Sequence, residues 1–249
     1  MTSMNPGLII ILIVVLILLV CYLLRNRLHL IPLFQNNPRQ KDLNSHLIEA
    51  YESGSIVHLD AMQADETSPV NASSLIALEA VETLSHRFSA ADQSPMVTGN
   101  SPLVHTIMRD VAAEAFRKAG LENEFEPEKI EFAGFDSHLH QAVALSVLED
   151  ETMPLHVNIG TIGAEIALQD MMFRGEEAIL LAGDDLTGQA VGMVVADDLS
   201  IGEELFELPA RLQVKQNEYR IEPALLAMDV LRWVFLAALA AGAVMILLV

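Results

Sequence analysis

Residues 155–182 read LHVNIGTIGAEIALQDMMFRGEEAILLA, and the order of signals in this stretch decides the fold. Leu155 to Ile159 is a short apolar run bounded by the turn residues Gly160 and Gly163. Ala164 to Phe173 has the length of a helix and is stopped by Gly175, and Ala178 to Ala182 (AILLA) is a second apolar run. A strand, a helix and a strand in succession, with strands apolar throughout, describe a βαβ unit in a parallel sheet covered on both faces.

The same alternation extends upstream. Ser55 to Leu59 (SIVHL) predicts a first strand ending at Asp60, and Asn71 to Ala90 a helix with Ala77, Val81, Leu84 and Phe88 on one face. Met96 to Thr98 predicts a second strand, followed by a helix with Ser101 as N-cap, Pro102 in its first turn, Ile107, Val111 and Ala115 inward and Gly120 as its stop. Lys129 to Ala133 predicts the third strand, and His138 to Leu148 a helix with Leu139, Val143 and Val147 aligned. Downstream, Gly188 to Ala196 fits either a sixth strand or a helix, and Ser200 to Leu208 reads as a helix that Pro209 ends or kinks. The whole describes a doubly wound α/β domain, Rossmann-like, with a mostly parallel sheet of about five strands; strand order cannot be read from the pattern.

Both ends of the chain have a different composition. Leu8 to Leu24 (LIIILIVVLILLVCYLL) and Trp233 to Val249 (WVFLAALAAGAVMILLV) are apolar runs of 17 residues, near the lower limit for a membrane-spanning helix. A signal peptide needs a positive n-region and a small-residue cleavage site, and residues 1–7 hold no Lys or Arg. Cys21 follows the bulky Val20, unlike a lipidated cysteine. Arg25, Arg27, Arg39 and Lys41 follow the first run, Lys215, Arg220 and Arg232 precede the second, and none lies beyond them. Positive residues are retained on the cytoplasmic side, so the expected topology is two-pass in the cytoplasmic membrane, with both termini outside and the α/β domain inside. The expected organisation is a transmembrane helix over 8–24, a juxtamembrane segment and helix over 25–54, the α/β domain over 55–212, a linker helix over 213–232 and a second transmembrane helix over 233–249. In the second run, Ala238 and Gly242 stand four apart and form a small-residue pair suited to helix packing in lipid. Partners then include the lipid bilayer and, through that pair, a second copy or another membrane protein.

The 249 residues carry 34 Asp and Glu against 14 Lys and Arg, a net charge of -20, which argues against nucleic acid as a partner. A single cysteine excludes an internal disulfide framework.

In doubly wound sheets, ligands bind outside the carboxyl ends of the strands. That edge nominates Asp60, Asn100, Ser101, Asp136, Asn158, Gly160, Gly163, Glu165, Asp184 and Asp185 as ligand-binding residues. Known chemistries do not fit them closely. A dinucleotide site needs G-x-G-x-x-G after a strand, and Gly160 with Gly163 supplies part of it; a P-loop needs a Lys that neither glycine loop has. A phospho-acceptor site would pair Asp60 with a Lys after the fifth strand, where Gly183-Asp184-Asp185 stands instead. Gly99-Asn-Ser101 lacks the second glycine of a nucleophile elbow, which leaves Ser101 as a helix cap. His138 and His140 would point about 200° apart on a helix. With His58, His105 and His156 they would bind zinc only if packing converged three of them, and His58 and His156 fit buried strand positions. No catalytic residue, metal ligand or cofactor is assigned.

The run Glu49-Ala-Tyr-Glu52-Ser-Gly54-Ser-Ile-Val-His58, the loop Gly160-Thr-Ile-Gly163-Ala-Glu165 and the segment Ile201-Gly202-Glu203-Glu204-Leu205-Phe206 resemble an uncharacterised family of prokaryotic membrane-anchored proteins, a domain of unknown function. The likeness spans about residues 25 to 212. It implies a membrane-anchored α/β domain and brings no activity, substrate or catalytic residue with it. Two function classes follow: a non-catalytic scaffold or sensor module at the membrane, or a small-ligand or nucleotide-binding protein or Mg-dependent enzyme using Asp60, Asp136 and Asp184 at the sheet edge. The absence of basic residues from those loops favours the first.

Overall fold

Six parallel strands form one sheet in the order β3-β2-β1-β4-β5-β6 in the computed structural model, which describes residues 6–24, 39–62, 70–91, 93–150, 153–172, 178–212 and most of 227–239. The strands are β1 (His58–Met62), β2 (Met96–Gly99), β3 (Ile130–Phe132), β4 (Leu155–Gly160), β5 (Ala178–Gly183) and β6 (Asp198–Ile201). The chain divides into two units, 37–217 around the sheet and a second made of 1–36 with 218–249.

The helices of the sheet unit are α2 (Arg39–Ser53), α3 (Ala72–Ser89), α4 (Pro102–Ala119), α5 (Ser137–Asp150), α6 (Ile166–Met172), α7 (Leu186–Val195) and the short α8 (Leu208–Arg211). Leu59, Val97, Val157 and Leu180 point to one face of the sheet, where α2, α3, α4 and α8 cover them in the main apolar core with Leu47, Leu84, Phe88, Met108 and Leu208. The other face carries α5, α6 and α7. Its β5–β6 half is apolar, with Ile179, Leu181 and Leu199 under Ile162 and Ile166. Its β1–β2–β4 half is polar.

Several boundaries follow local chemistry as expected. Asn71 caps α3 by accepting the Ser74 amide at 2.8 Å, Ser101 caps α4, and Gly120 ends α4 at φ 76°. Others differ for tertiary reasons. β1 starts three residues later than predicted and carries Asp60 at its centre, not in the loop after it. The inward face of α5 is His140, Gln141 and Ala144, whereas Leu139 is exposed, because the sheet beneath is polar. The inward face of α4 centres on Val104, Met108 and Ala112, with Ile107 and Val111 only half-buried. Residues 188–195 lie within helix α7 with Ala196 as its C-cap, and the sixth strand is Asp198–Ile201, which overlaps the start of the helix expected over Ser200–Leu208; a 3-10 turn, Gly202–Glu207, follows it. β6 tolerates Asp198 because Arg211, on α8, pairs with its carboxylate.

In the second unit, α1 (Pro6–Leu24) is helical, and residues 230–237 are helical. Ile17 and Cys21 of α1 pack with Ala227. The other described side chains of α1 are largely exposed, with Ile11 65% and Leu23 68% accessible, as are Trp233 and Phe235. Side chains of α1 are described from Ile10 to Leu23, and among the described residues no helix is long and apolar enough to cross a membrane. Ala238 and Gly242 lie outside the described residues.

Candidate functional site

The strand order reverses between β1 and β4, and their carboxyl ends make the crevice where a doubly wound sheet holds its ligand. The residues nominated there are mostly occupied by the fold. Asp136 accepts the His138 and Leu139 amides at 3.0 and 3.2 Å and starts α5. Asp185 accepts the Gly188 amide at 2.9 Å and caps α7. Ser101 does the same for α4, with Asn100 buried beside it. Asp184 accepts the Ser73 hydroxyl at 2.8 Å, so a carboxylate stands against the first turn of α3, where a bound phosphate would otherwise meet the helix N-terminus.

The glycine loop is shaped by backbone contacts. Gly160 has φ +124°, and a Cβ there would lie 1.9 Å from the Met62 carbonyl oxygen of β1. Its neighbour Thr161 donates its amide to that same oxygen at 3.0 Å. Gly160 therefore serves the close approach of β4 to β1. Gly163 donates its amide to Glu165 Oε1 at 2.9 Å, a turn closed by its own side chain.

Asp60 and Asn158 are not edge residues. They sit opposite one another in the middle of β1 and β4, both fully buried. Around them lies a polar cluster between the sheet and helices α5 and α6. Asp60 Oδ1 accepts from His140 Nε2 at 2.5 Å and from the Thr98 hydroxyl at 2.8 Å, while Oδ2 accepts from Gln141 at 3.2 Å. Because the single Thr98 proton goes to Asp60, the 2.9 Å contact from His58 Nε2 to Thr98 Oγ1 requires His58 to be the donor, which assigns its tautomer. Gln169 donates to Asn158 at 2.8 Å and to Gln141 at 3.2 Å. The His58 and His156 rings meet edge to face with centroids 5.7 Å apart.

Burial and charge set the protonation states. Desolvation pushes His58 down to about 4, against the pull of Asp60, and pushes His156 down to about 3 with His58 beside it. Asp60 is held below the usual carboxylate range: burial opposes its ionisation, and the charge and hydrogen bond of His140 outweigh that opposition. His140 is also disfavoured as a cation by burial, yet Asp60, with Glu165 further off, raises it above the ordinary histidine value. The centre is thus a carboxylate–imidazolium pair flanked by two neutral imidazoles.

This cluster offers no entry for a substrate. His58, Asp60, Thr98, His140 and Asn158 are each 0% exposed. The Thr98 hydroxyl is buried with them and donates to Asp60. Asp60, Asp136 and Asp184 are each engaged in separate contacts, and among the described residues no three His, Cys, Asp or Glu side chains are grouped to hold a metal ion. Thr98, His140, Gln141 and Gln169 were not among the residues nominated from sequence. The available signal was polar residues at inward positions of β1, β2 and β4, which becomes readable only once the strand register is known. No protein family, characterised protein or solved structure matches the chain.

Proposed function

We propose that the protein is a membrane-anchored α/β module that recruits or organises partners and carries out no chemistry of its own. One observation carries the reading: α1 is an apolar helix whose described large side chains are mostly exposed, including Ile10, Ile11, Leu12, Leu16, Leu19 and Leu23. An exposed apolar surface of this extent marks a protein or membrane contact. Its sequence continues apolar from Leu8 to Leu24, and an apolar run of similar length closes the chain. The engagement of the sheet-edge carboxylates in caps supports the non-catalytic part.

In this reading both apolar segments insert in the bilayer, the termini lie outside the cytoplasmic membrane and the acidic domain lies in the cytoplasm, as the placement of Lys and Arg suggests. The resemblance to the membrane-anchored family of unknown function fits the same arrangement. Alkaline carbonate extraction of cell membranes tests the anchoring: the chain is expected in the pellet, and its release into the supernatant would refute it. Single cysteines placed at Ser3 and Glu124 in a Cys21→Ala background test the topology, with Ser3 labelled from outside intact cells and Glu124 protected. A rise in melting temperature with ATP, GTP, NAD or Mg²⁺ would overturn the non-catalytic part, since binding to the native state stabilises it by mass action.

A further inference from the structure

Helix α7 (Leu186–Val195) contains no charged residue, in a chain of net charge -20. Its inner side is seated as closely as a backbone allows. A Cβ at Gly188 would lie 1.7 Å from the Ile162 carbonyl oxygen, and one at Gly192 would lie 2.4 Å from the Leu181 side chain. That fit fixes the rotation of the helix and turns Leu186, Met193 and Val194 outward, where they are 80%, 69% and 85% exposed, with Thr187 and Ala190 exposed among them. At 3.6 residues per turn these side chains share an arc of about 120°, and Ala190 stands at its middle both around and along the helix. We propose that this face is where two copies of the chain associate, α7 against α7, antiparallel across a two-fold axis at Ala190.

The order of side chains along the face selects a second copy. A two-fold contact must be complementary to itself. Turning α7 about an axis at Ala190 sets Leu186 against Met193 of the other copy and Thr187 against Val194, because each pair lies on one side of Ala190 and about equally far from it in opposite directions. Ala190 meets itself, and a methyl group there admits the close spacing, about 8 Å, of packed helices. An uncharged patch is also where two acidic domains approach with least repulsion. On the adjoining α6, Leu168 and Met171 are exposed as well and enlarge the apolar area. A lipid surface fits less well, since helices that lie on a membrane carry Lys or Arg beside the apolar face, and α7 is flanked by Asp184, Asp185 and Asp197. Those carboxylates accept from the Ser73 hydroxyl and the Gly188 and Ile179 amides of their own fold, so the rim is not built to engage a basic partner. The contact is independent of membrane anchoring and of the carboxyl-edge crevice.

Disulfide crosslinking of the full chain in maltoside micelles tests the pairing, in a Cys21→Ala background with copper phenanthroline as oxidant. Ala190→Cys should crosslink to itself. Leu186→Cys and Met193→Cys should each fail alone, since copies of either stand about 9–12 Å apart along the helix axes, and should crosslink when the two are mixed. Association through the apolar ends of the chain would bring copies together without selecting these pairs. Met193→Glu added to Ala190→Cys buries a charge against Leu186 and should cut the yield about tenfold. Raising salt from about 0.05 to about 0.5 M should increase the yield at Ala190, as screening relieves repulsion between the acidic domains. All these positions are exposed, and circular dichroism establishes that each variant is folded. No dimer at Ala190, self-crosslinking of Leu186→Cys as strong as that of the mixture, a yield indifferent to Met193→Glu, or a fall with salt overturns the inference.

Discussion

Acid should unfold the sheet unit through His58 and His156, and His156→Leu should relieve part of the loss. The sign follows from the folded values. Both are depressed below the ordinary 6.5, to about 4 and about 3, so acidification drives protons onto the unfolded chain first. At pH 5 the unfolded imidazole of His156 lies about 1.5 pH units below its ordinary value and is charged, while the folded one is still neutral. At 1.36 kcal/mol per unit this costs about 2 kcal/mol relative to neutral pH. His58 adds about 2 kcal/mol more by the same reasoning. A total of about 4 kcal/mol is large against the 5–15 kcal/mol typical of a domain. Asp60 does not share this limb, since its depressed value keeps its contribution until pH falls below the ordinary carboxylate range. His140 works in the other direction: its contribution is complete below 6.5 and fades as pH rises through its raised folded value, shaping the alkaline limb. Urea unfolding of the full chain in maltoside micelles, followed by circular dichroism from pH 8 to 4.5, measures the profile. His156→Leu should lose about 2 kcal/mol less than wild type between pH 7 and 5. Parallel profiles for the two proteins would refute the neutral, desolvated state assigned to His156.

Asp60→Ala should cost about 3–5 kcal/mol in the same urea assay at pH 7, because it strands His140 in the interior; Asp60→Asn should fall between it and wild type, since it sets an amide against the Gln141 donor. A loss under about 1 kcal/mol for Asp60→Ala would show that the pair is not buried as described. Gly160→Ala should cost upward of about 2 kcal/mol, since its Cβ would strike the Met62 carbonyl at 1.9 Å from a left-handed backbone; an unchanged melting temperature would contradict that packing. Arg211→Met should destabilise by about 3 kcal/mol or more, and adding Asp198→Leu should recover most of it, as expected when the harm lies in the stranded carboxylate.

What the sequence conveyed was local. Ser101, Pro102 and Gly120 set the bounds of α4 because caps act on their own helix ends, whatever lies beyond. The apolar runs of β4 and β5 were readable because both are flanked by turn residues. β6 was not, since DLSI begins with an acidic residue whose neutralising partner Arg211 comes from a later element. Asp60 was placed in a loop for the same reason: an aspartate after a β-branched run is ordinarily a turn, and its donors lie 38 to 81 residues away, on β2 and α5. Of the nominated residues, Ser101, Asp136, Asp184 and Asp185 lie in loops at the sheet edge, and capping or a contact with the first turn of α3 engages them, uses that call for the same residue types as ligand binding.

The polar half of the sheet does something that apolar packing cannot. On the α2–α3–α4 face, β1, β2, β4 and β5 present aliphatic residues such as Leu59, Val97, Val157 and Leu180, and a two-residue slip of β1 past β2 would keep apolar groups inward and lose little. On the α5 face, Asp60 stands opposite Thr98 and His58 opposite Met96, and the same slip would set Asp60 against Met96 or Asn100. It would break the Thr98 bridge between His58 and Asp60 while α5 still held His140 and Gln141 in place. The penalty is that of a buried charge pair losing a donor, several kcal/mol, and it spares the native register only. The ion pair need add little to net stability to have this effect, because its cost is already met in the native arrangement and unmet in every shifted one. Two opposed faces thus divide the work: area buried under α2, α3, α4 and α8 supplies the stabilising term, and the Asp60–His140 centre selects the alignment at which α5 docks.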